Sequence, residues 1–252
     1  MKIKSTLCIC LVLLFSMEII AQENLFLSRD YWKLNPSVEQ IKTAIVDGND
    51  PSQLNKNGFD ASVYALLEDV NTKSIKYLLT LEGNTINKRT HDDRTYIFWA
   101  AYKANLDIMK YLFDKGSILS IKDSYGNTPV MFCAVKGQTN IAVYDLFEKH
   151  GLPMNQIQKQ GNTLLHLASQ HNKLLVLETL AVYGIDIDKK NNEGYTALHL
   201  AAMKTEEDSV LKHLLSKGAD KTITNDFGET AFDLAAENEL LQKNNVSLNF
   251  LK

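Results

Sequence analysis

Cysteine is nearly absent from this chain. Cys8 and Cys10 fall within residues 1–21, which leaves Cys133 alone over the rest of its length. One thiol excludes an intramolecular disulfide, and no cysteine pair stands at zinc-binding spacing. An excess of positive charge is also missing. The 27 Lys and Arg face 30 Asp and Glu, for a formal net charge of −3, so no basic field invites nucleic acid. No glycine-rich phosphate loop follows a strand, and no Gly-x-Ser-x-Gly nucleophile motif occurs. The sequence therefore assigns no catalytic, cofactor-binding or metal-ligating residue, and an enzyme is not expected. What remains, 45% hydrophobic and 23% charged, is ordinary for a globular protein.

The start of the chain, residues 1–21, differs from the rest. Lys2 and Lys4 form a short basic start, Leu7 to Met17 is almost wholly apolar, and Ile19-Ile20-Ala21 precedes Gln22. These are the three parts of a secretory signal peptide, with cleavage expected after Ala21. The apolar run is short for a membrane-spanning helix, and Glu18 argues against an uncleaved anchor. A lipoprotein anchor would need a cysteine at the cleavage point, where Cys8 and Cys10 do not lie. The expectation is export, to a bacterial periplasm or beyond the cell, with no transmembrane segment after cleavage.

Beyond this segment one phrase recurs. It is plainest as Gly194-Tyr195-Thr196-Ala197-Leu198-His199-Leu200-Ala201-Ala202, and Gly161-Asn162-Thr163-Leu164-Leu165-His166-Leu167-Ala168 matches it closely. Copies also begin at Gly228 and Gly126, and worn ones at Asp93 and Gly58. The starts stand at positions 58, 93, 126, 161, 194 and 228, so the successive intervals are 35, 33, 35, 33 and 34. A fixed period of about 33 is a signature of stacked repeats. With its Thr-x-Leu-His-x-Ala core, the chain resembles the ankyrin repeat family.

That resemblance implies an all-α fold: a solenoid of stacked helix-turn-helix units with projecting β-hairpin loops and helical caps. Residues 22–56 are expected to form an N-terminal helical cap and half-repeat, and residues 57–250 about six repeats, the last serving as the C-terminal cap. In the cap, Gln22 to Lys33, with Leu25, Phe26, Leu27, Tyr31 and Trp32, reads as a helix. Ser37 is a possible N-cap for the next one.

Each repeat then follows one grammar. A threonine (Thr95, Thr128, Thr163, Thr196 or Thr230) starts the first helix and can cap it. A small residue (Ala65, Ala100, Cys133, Ala168, Ala201 or Ala235) lets neighbouring units approach. The second helix carries an apolar stripe, and a glycine closes it. Phe98 and Met131 take the histidine slot in two repeats, and Asp233 takes it in the last.

Two clusters resemble chemistry. His166 and His199 occupy one slot in adjacent repeats, but stacked helices put them roughly 8–10 Å apart, too far to share an ion. The resemblance instead implies that this histidine ties neighbouring turns together. His91-Asp92-Asp93 is a compact polar group that turn chemistry explains.

What is left is surface. The resemblance implies that hairpin tips and exposed sides of first helices form a concave binding strip. Projected here, the strip comprises Lys88, Arg89, His91 and Asp92; Tyr102 and Lys103; Lys122, Tyr125 and Lys136; Lys159 and Gln160; Lys190, Asn192 and Tyr195; and Met203, Asp226 and Phe227. The expected function is a monomeric, non-enzymatic scaffold that uses no cofactor and binds an unknown protein partner. One alternative is a self-associating envelope protein, which exposed aromatics such as Trp32 would favour. Another is an accessory module supporting an envelope enzyme.

Overall fold

The computed structural model describes residues 23–252, so the expected signal peptide over residues 1–21 lies outside the described residues. The N-terminal cap is built on short side-chain bonds rather than one helix. Asn24 caps a 3-10 turn over Leu25–Leu27, accepting from the Phe26 N–H at 3.1 Å. Asn49 Oδ1 takes the Leu25 N–H at 2.7 Å. Helix α1 (Arg29–Lys33) follows. The continuous helix expected from Gln22 to Lys33 is thus divided at Ser28, whose extended backbone interrupts it.

The turn folds Phe26 against Trp32, with rings stacked 5.5 Å apart, and Trp32 Nε1–H donates to the Phe26 carbonyl at 2.9 Å. Tyr31 meets Trp32 edge-on at 5.0 Å. Trp32 is completely buried, so it is not the exposed aromatic that would favour self-association. Helix α2 (Val38–Val46) begins at Ser37, which forms a reciprocal capping box with Gln40.

Six helix pairs follow: α3 (Ala61–Leu67) with α4 (Thr72–Leu78), α5 (Tyr96–Tyr102) with α6 (Leu106–Asp114), and α7 (Pro129–Lys136) with α8 (Ile141–Lys149). Then come α9 (Leu164–Gln170) with α10 (Leu174–Leu180), α11 (Ala197–Lys204) with α12 (Ser209–Ser216), and α13 (Ala231–Glu237) with α14 (Glu239–Lys243). The odd-numbered helices from α3 to α13 pack in succession as an inner row. The even-numbered helices from α2 to α8, and α10 with α12, pack as an outer row, with little contact between α8 and α10. There Tyr183 bridges instead, its hydroxyl donating to Asp145 at 2.6 Å.

The small-residue slot explains the inner row. Ala65, Ala100, Cys133, Ala168, Ala201 and Ala235 are all fully buried where first helices meet. Cys133 is sealed there, and burial pushes its thiol pKa well up, so it acts as a small apolar residue. In the outer row Ile75 and Leu78, Met109 and Leu112, Leu177 and Leu180, and Leu211 and Leu214 are buried. Burying each such side chain stabilises by about 1.5–3 kcal/mol.

The threonines divide into two kinds. Thr163, Thr196 and Thr230 form capping boxes with His166, His199 and Asp233. Thr95 and Thr128 hold the N-cap position without a capping bond, contrary to the expectation for these two. Three residues on stand Phe98 and Met131, which offer no side chain to reciprocate. The Thr128 hydroxyl turns to Gln156 Oε1 at 2.6 Å, while the buried Thr95 hydroxyl has no partner among the described residues.

Among the described residues no β-strand forms, and Thr224 and Thr230 make an isolated bridge. Each of these projecting tips is a tight turn closed by two backbone bonds, one donated and one accepted by its first residue: Thr90 to Arg94, Asp123 to Asn127, Gln158 to Asn162, Asn191 to Tyr195, and Asn225 to Glu229. The arms are too short for a ladder of their own. Neighbouring tips bond to each other instead, through Ser124 N–H to Asp92 O, Asn192 N–H to Gln160 O and Asp226 N–H to Glu193 O.

Candidate functional site

The tips and the exposed edges of the first helices make one strip, held rigid by the two histidines of the repeat phrase. His166 Nδ1 accepts the Thr163 N–H at 3.2 Å, so the proton sits on Nε2, which donates to the Tyr195 carbonyl at 2.9 Å. His199 repeats the arrangement, with Thr196 N–H at 3.2 Å and the Glu229 carbonyl at 3.1 Å. Each imidazole joins its own helix start to the next tip. Burial holds both below the ordinary histidine pKa, against the opposing effect of their backbone carbonyl partners.

The polar cluster at 91–93 is likewise a brace. His91 stacks on Phe59 at 4.4 Å, and its Nδ1 lies 2.7 Å from the Asn57 carbonyl. Asp92 and Asp93 take left-handed backbone at φ 54° and 61°, the latter where other repeats have glycine. Asp92 Oδ2 accepts from Arg94 Nη1 at 2.9 Å. Among the described residues, no group of three or more His, Cys, Asp or Glu is placed to hold a metal ion.

The residues projected onto the strip separate into two sets. One set is occupied with bracing the repeats. Lys88 is drawn inward: its Nζ donates to Asp60 Oδ2 and the Ser52 carbonyl, both at 2.7 Å, so it is not an open surface group. Arg89 Nη1 donates to the Asp93 and Lys122 carbonyls at 2.8 Å each. Lys190 Nζ reaches the Thr224 carbonyl at 2.7 Å, and Asn192 Nδ2 the Lys159 carbonyl at 2.9 Å. Lys103 pairs with Asp69 at 2.7 Å. Asp226 and His91 are tied at their tips as described.

The other set is open. Tyr102, Lys122, Tyr125, Lys136, Lys159, Gln160, Met203 and Phe227 are exposed. Tyr195 is half-buried, its ring between His199 at 6.1 Å and Phe227 at 6.2 Å.

Two adjoining hollows of about 450 and 580 Å³ lie along this open set. The first runs from Tyr125, Phe132 and Lys136 to Gln160, Gln170 and His171. The second runs from Lys159 and Gln160 to Tyr195, Met203 and Lys204. Gln160, Asn162 and Gln170 line both, so the two make one furrow across α7, α9 and α11.

The repeat spacing sets how successive tips are joined. At the shorter steps, from 93 to 126, from 161 to 194 and from 194 to 228, successive tips share a backbone bond. At the two longer steps, from 58 to 93 and from 126 to 161, that bond is missing, and side chains replace it. His91 Nδ1 meets Asn57 O at the first such step, and Gln158 Nε2 donates to Asn127 Oδ1 at 2.9 Å at the second. The first hollow lies at that second step.

Several residues of the furrow escaped the sequence projection: Arg94, Phe132, Gln158, Asn162, Gln170, His171 and Lys204. Arg94 is the most informative. Its buried guanidinium is held by Asp92 and by Asp123 at 3.1 Å, and it lies over the Phe132 ring at 4.3 Å. The available signal was Asp93-Arg94-Thr95 standing where two other copies, at 126–128 and 161–163, read Gly-Asn-Thr, an arginine in a slot that holds an amide in those two.

Comparison with known proteins matches the family described as "Ankyrin repeats (3 copies)" in overlapping stretches at residues 33–123, 63–155, 118–191, 141–225 and 165–248. The human protein "SH3 and multiple ankyrin repeat domains protein 2" is 30% identical over 79% of this chain and 11% of its own length. The "NAD-dependent deacetylase sir2B" of Dictyostelium discoideum is 25% identical over 88% of this chain and 32% of its own. An ankyrin repeat protein of fowlpox virus is 28% identical over 57% of this chain and 44% of its own. The chain spans less than half the length of each of these relatives.

Proposed function

The chain belongs to the ankyrin-repeat family, and from that premise we propose that it is an exported, non-enzymatic scaffold that holds a partner protein along its concave strip. One observation carries this reading. The strip is braced tip to tip by Arg89, Lys190, Asn192 and the two histidines, yet along α7, α9 and α11 it presents open side chains around a continuous furrow. Rigid display of this kind lowers the ordering cost of association. Among the described residues no helix is long and apolar enough to cross a membrane. Export rests on the sequence of residues 1–21. The self-association alternative loses the feature that favoured it, since Trp32 is sealed in the N-terminal cap.

The test has two arms. The full chain, immobilised beside a variant carrying Tyr125→Ala, Gln160→Ala and Met203→Ala, is offered an envelope extract of the native host. A protein retained by the native chain and lost from the variant supports the reading. Equal retention by both moves binding off the concave strip. Export is checked by the N-terminal mass of the protein in the cell and outside its inner membrane. A start at Gln22 is expected, and an intact Met1 confined to the cytoplasm would remove that part.

A further inference from the structure

The charge along the furrow runs against that of the molecule. The chain as a whole carries a formal −3. The furrow lining has four cations, Arg94, Lys136, Lys159 and Lys204, against two carboxylates, Asp92 and Glu193. Arg94 and Asp92 neutralise each other at 2.9 Å. That leaves three lysines facing Glu193.

These three lysines pair with no carboxylate among the described residues, and the Lys136 ammonium stands 5.8 Å from the centre of the Phe132 ring. Lys88, Lys103 and Lys190 place their ammonium groups on named acceptors. Among the described residues, no hydrogen bond or ion pair holds the ammonium of Lys136, Lys159 or Lys204. His171 lies in the same wall. Burial lowers its pKa first, and Lys173 and Lys136 lower it further.

Apolar anchors stand beside the lysines. Tyr125 is 64% exposed at one end, and Met203 is 36% exposed at the other. Between them Gln160 and Gln170 present amides to the furrow.

Building on the concave-face reading, we infer that the furrow takes an extended acidic segment of a partner protein. One or two aromatic or aliphatic side chains of that segment seat against Tyr125 and Met203, and its carboxylates face Lys136, Lys159 and Lys204. The span from α7 to α11 is two helix spacings, roughly 16–20 Å. An extended chain rises about 3.3 Å per residue, so the recognised stretch is about five or six residues long. The carboxylates of Asp92 and Glu193 within the wall interrupt the continuous basic track that a phosphate backbone would follow.

The test is selection of a random dodecapeptide display library on the full chain. Synthetic copies of the enriched peptides are then measured by fluorescence anisotropy. Two variants with thermal midpoints matching the native chain serve as controls: K136E/K159E/K204E and Y125A/M203A. Enriched peptides are expected to be rich in Asp and Glu around one or two apolar residues. They should lose about tenfold or more in affinity on the charge-reversed variant, and weaken as salt rises.

Peptides without an acidic excess, or unaffected by the charge reversal, overturn the inference. If such peptides still lose binding on Y125A/M203A, the concave-face reading stands without it. Peptides that bind all three proteins equally, or no enrichment at all, sink both. Tighter binding of a single-stranded dodecanucleotide than of any enriched peptide also overturns the acidic-peptide assignment.

Discussion

Gly194 lies so close to Asp226 that a β-carbon built on the glycine would stand 2.6 Å from the Asp226 backbone nitrogen. The contact belongs to the tip-to-tip chain, in which the Asp226 N–H donates to the Glu193 carbonyl at 3.2 Å. Gly194 also has a φ of 77°, where a side chain is strained. Gly228 has a similar φ of 81° but nothing within 4 Å of its would-be β-carbon. Gly228→Ala should therefore cost only the backbone strain, about 1 kcal/mol. Gly194→Ala adds displacement of the neighbouring tip and should cost about 3 kcal/mol or more. Thermal denaturation of the two variants compares them directly. Equal losses would show that tip contact does not stabilise the array.

Lys88 and Asp60 form a buried pair between the first two repeats. Lys88 Nζ meets Asp60 Oδ2 at 2.7 Å, Tyr96 donates to the same oxygen at 2.7 Å, and the Asp60 side chain is fully buried. Lys88→Met leaves that carboxylate without its cation, and removal of one partner of a buried pair costs about 3–5 kcal/mol. The double variant Lys88→Met with Asp60→Asn should recover part of the loss. Denaturant midpoints of the two single variants and the double variant check this. A near-neutral Lys88→Met would return Lys88 to the surface role that its sequence position suggested.

What the sequence disclosed and what it hid divide along the repeat. The period, the alanine slot and the Thr–His phrase are local and recurrent, so six helix pairs and the His166 and His199 braces could be read without coordinates. The strip could be projected, but the commitment of each side chain on it could not. Lys88 and Lys136 look alike in sequence. One is drawn to Asp60, far back along the chain in the preceding repeat, and the other is left open. Arg94 and Asp123 meet only because adjacent tips stack. Trp32 lies in a cap whose sequence shows apolar residues but not what covers them, and only the fold of Phe26 back onto it shows that.

Acid should loosen the array through its histidines. His166 and His199 are held neutral in the fold, with pKa values below the ordinary 6.5, mainly by burial. The unfolded chain takes up protons at these sites as the pH falls through about 6.5, and the folded chain does not until its lowered values are reached. Stability is therefore complete above that pH and declines below it. Melting temperature should fall from pH 7 to pH 5. In His166→Gln with His199→Gln, which removes both groups, the melting temperature should depend less on pH over that interval. The same slope in the variant would place the titration elsewhere, His171 and His213 being the other histidines with lowered values.

The two kinds of threonine give the sharpest contrast within one sequence motif. Thr196 accepts the His199 N–H and reciprocates in a full capping box, with its hydroxyl 2.8 Å from the imidazole Nδ1. Thr95 fills the equivalent position with a buried hydroxyl that bonds nothing among the described residues. Loss of a working N-cap typically costs about 1 kcal/mol, within a range of about 0.5–2. Thr196→Ala should cost at least that, since it also frees the imidazole that ties the next tip. Thr95→Val keeps the shape and removes an unsatisfied buried hydroxyl, a change that should be neutral or stabilising. Equilibrium unfolding of the two variants in urea measures both effects. A Thr95→Val loss as large as that of Thr196→Ala would mean that the Thr95 hydroxyl caps its helix after all.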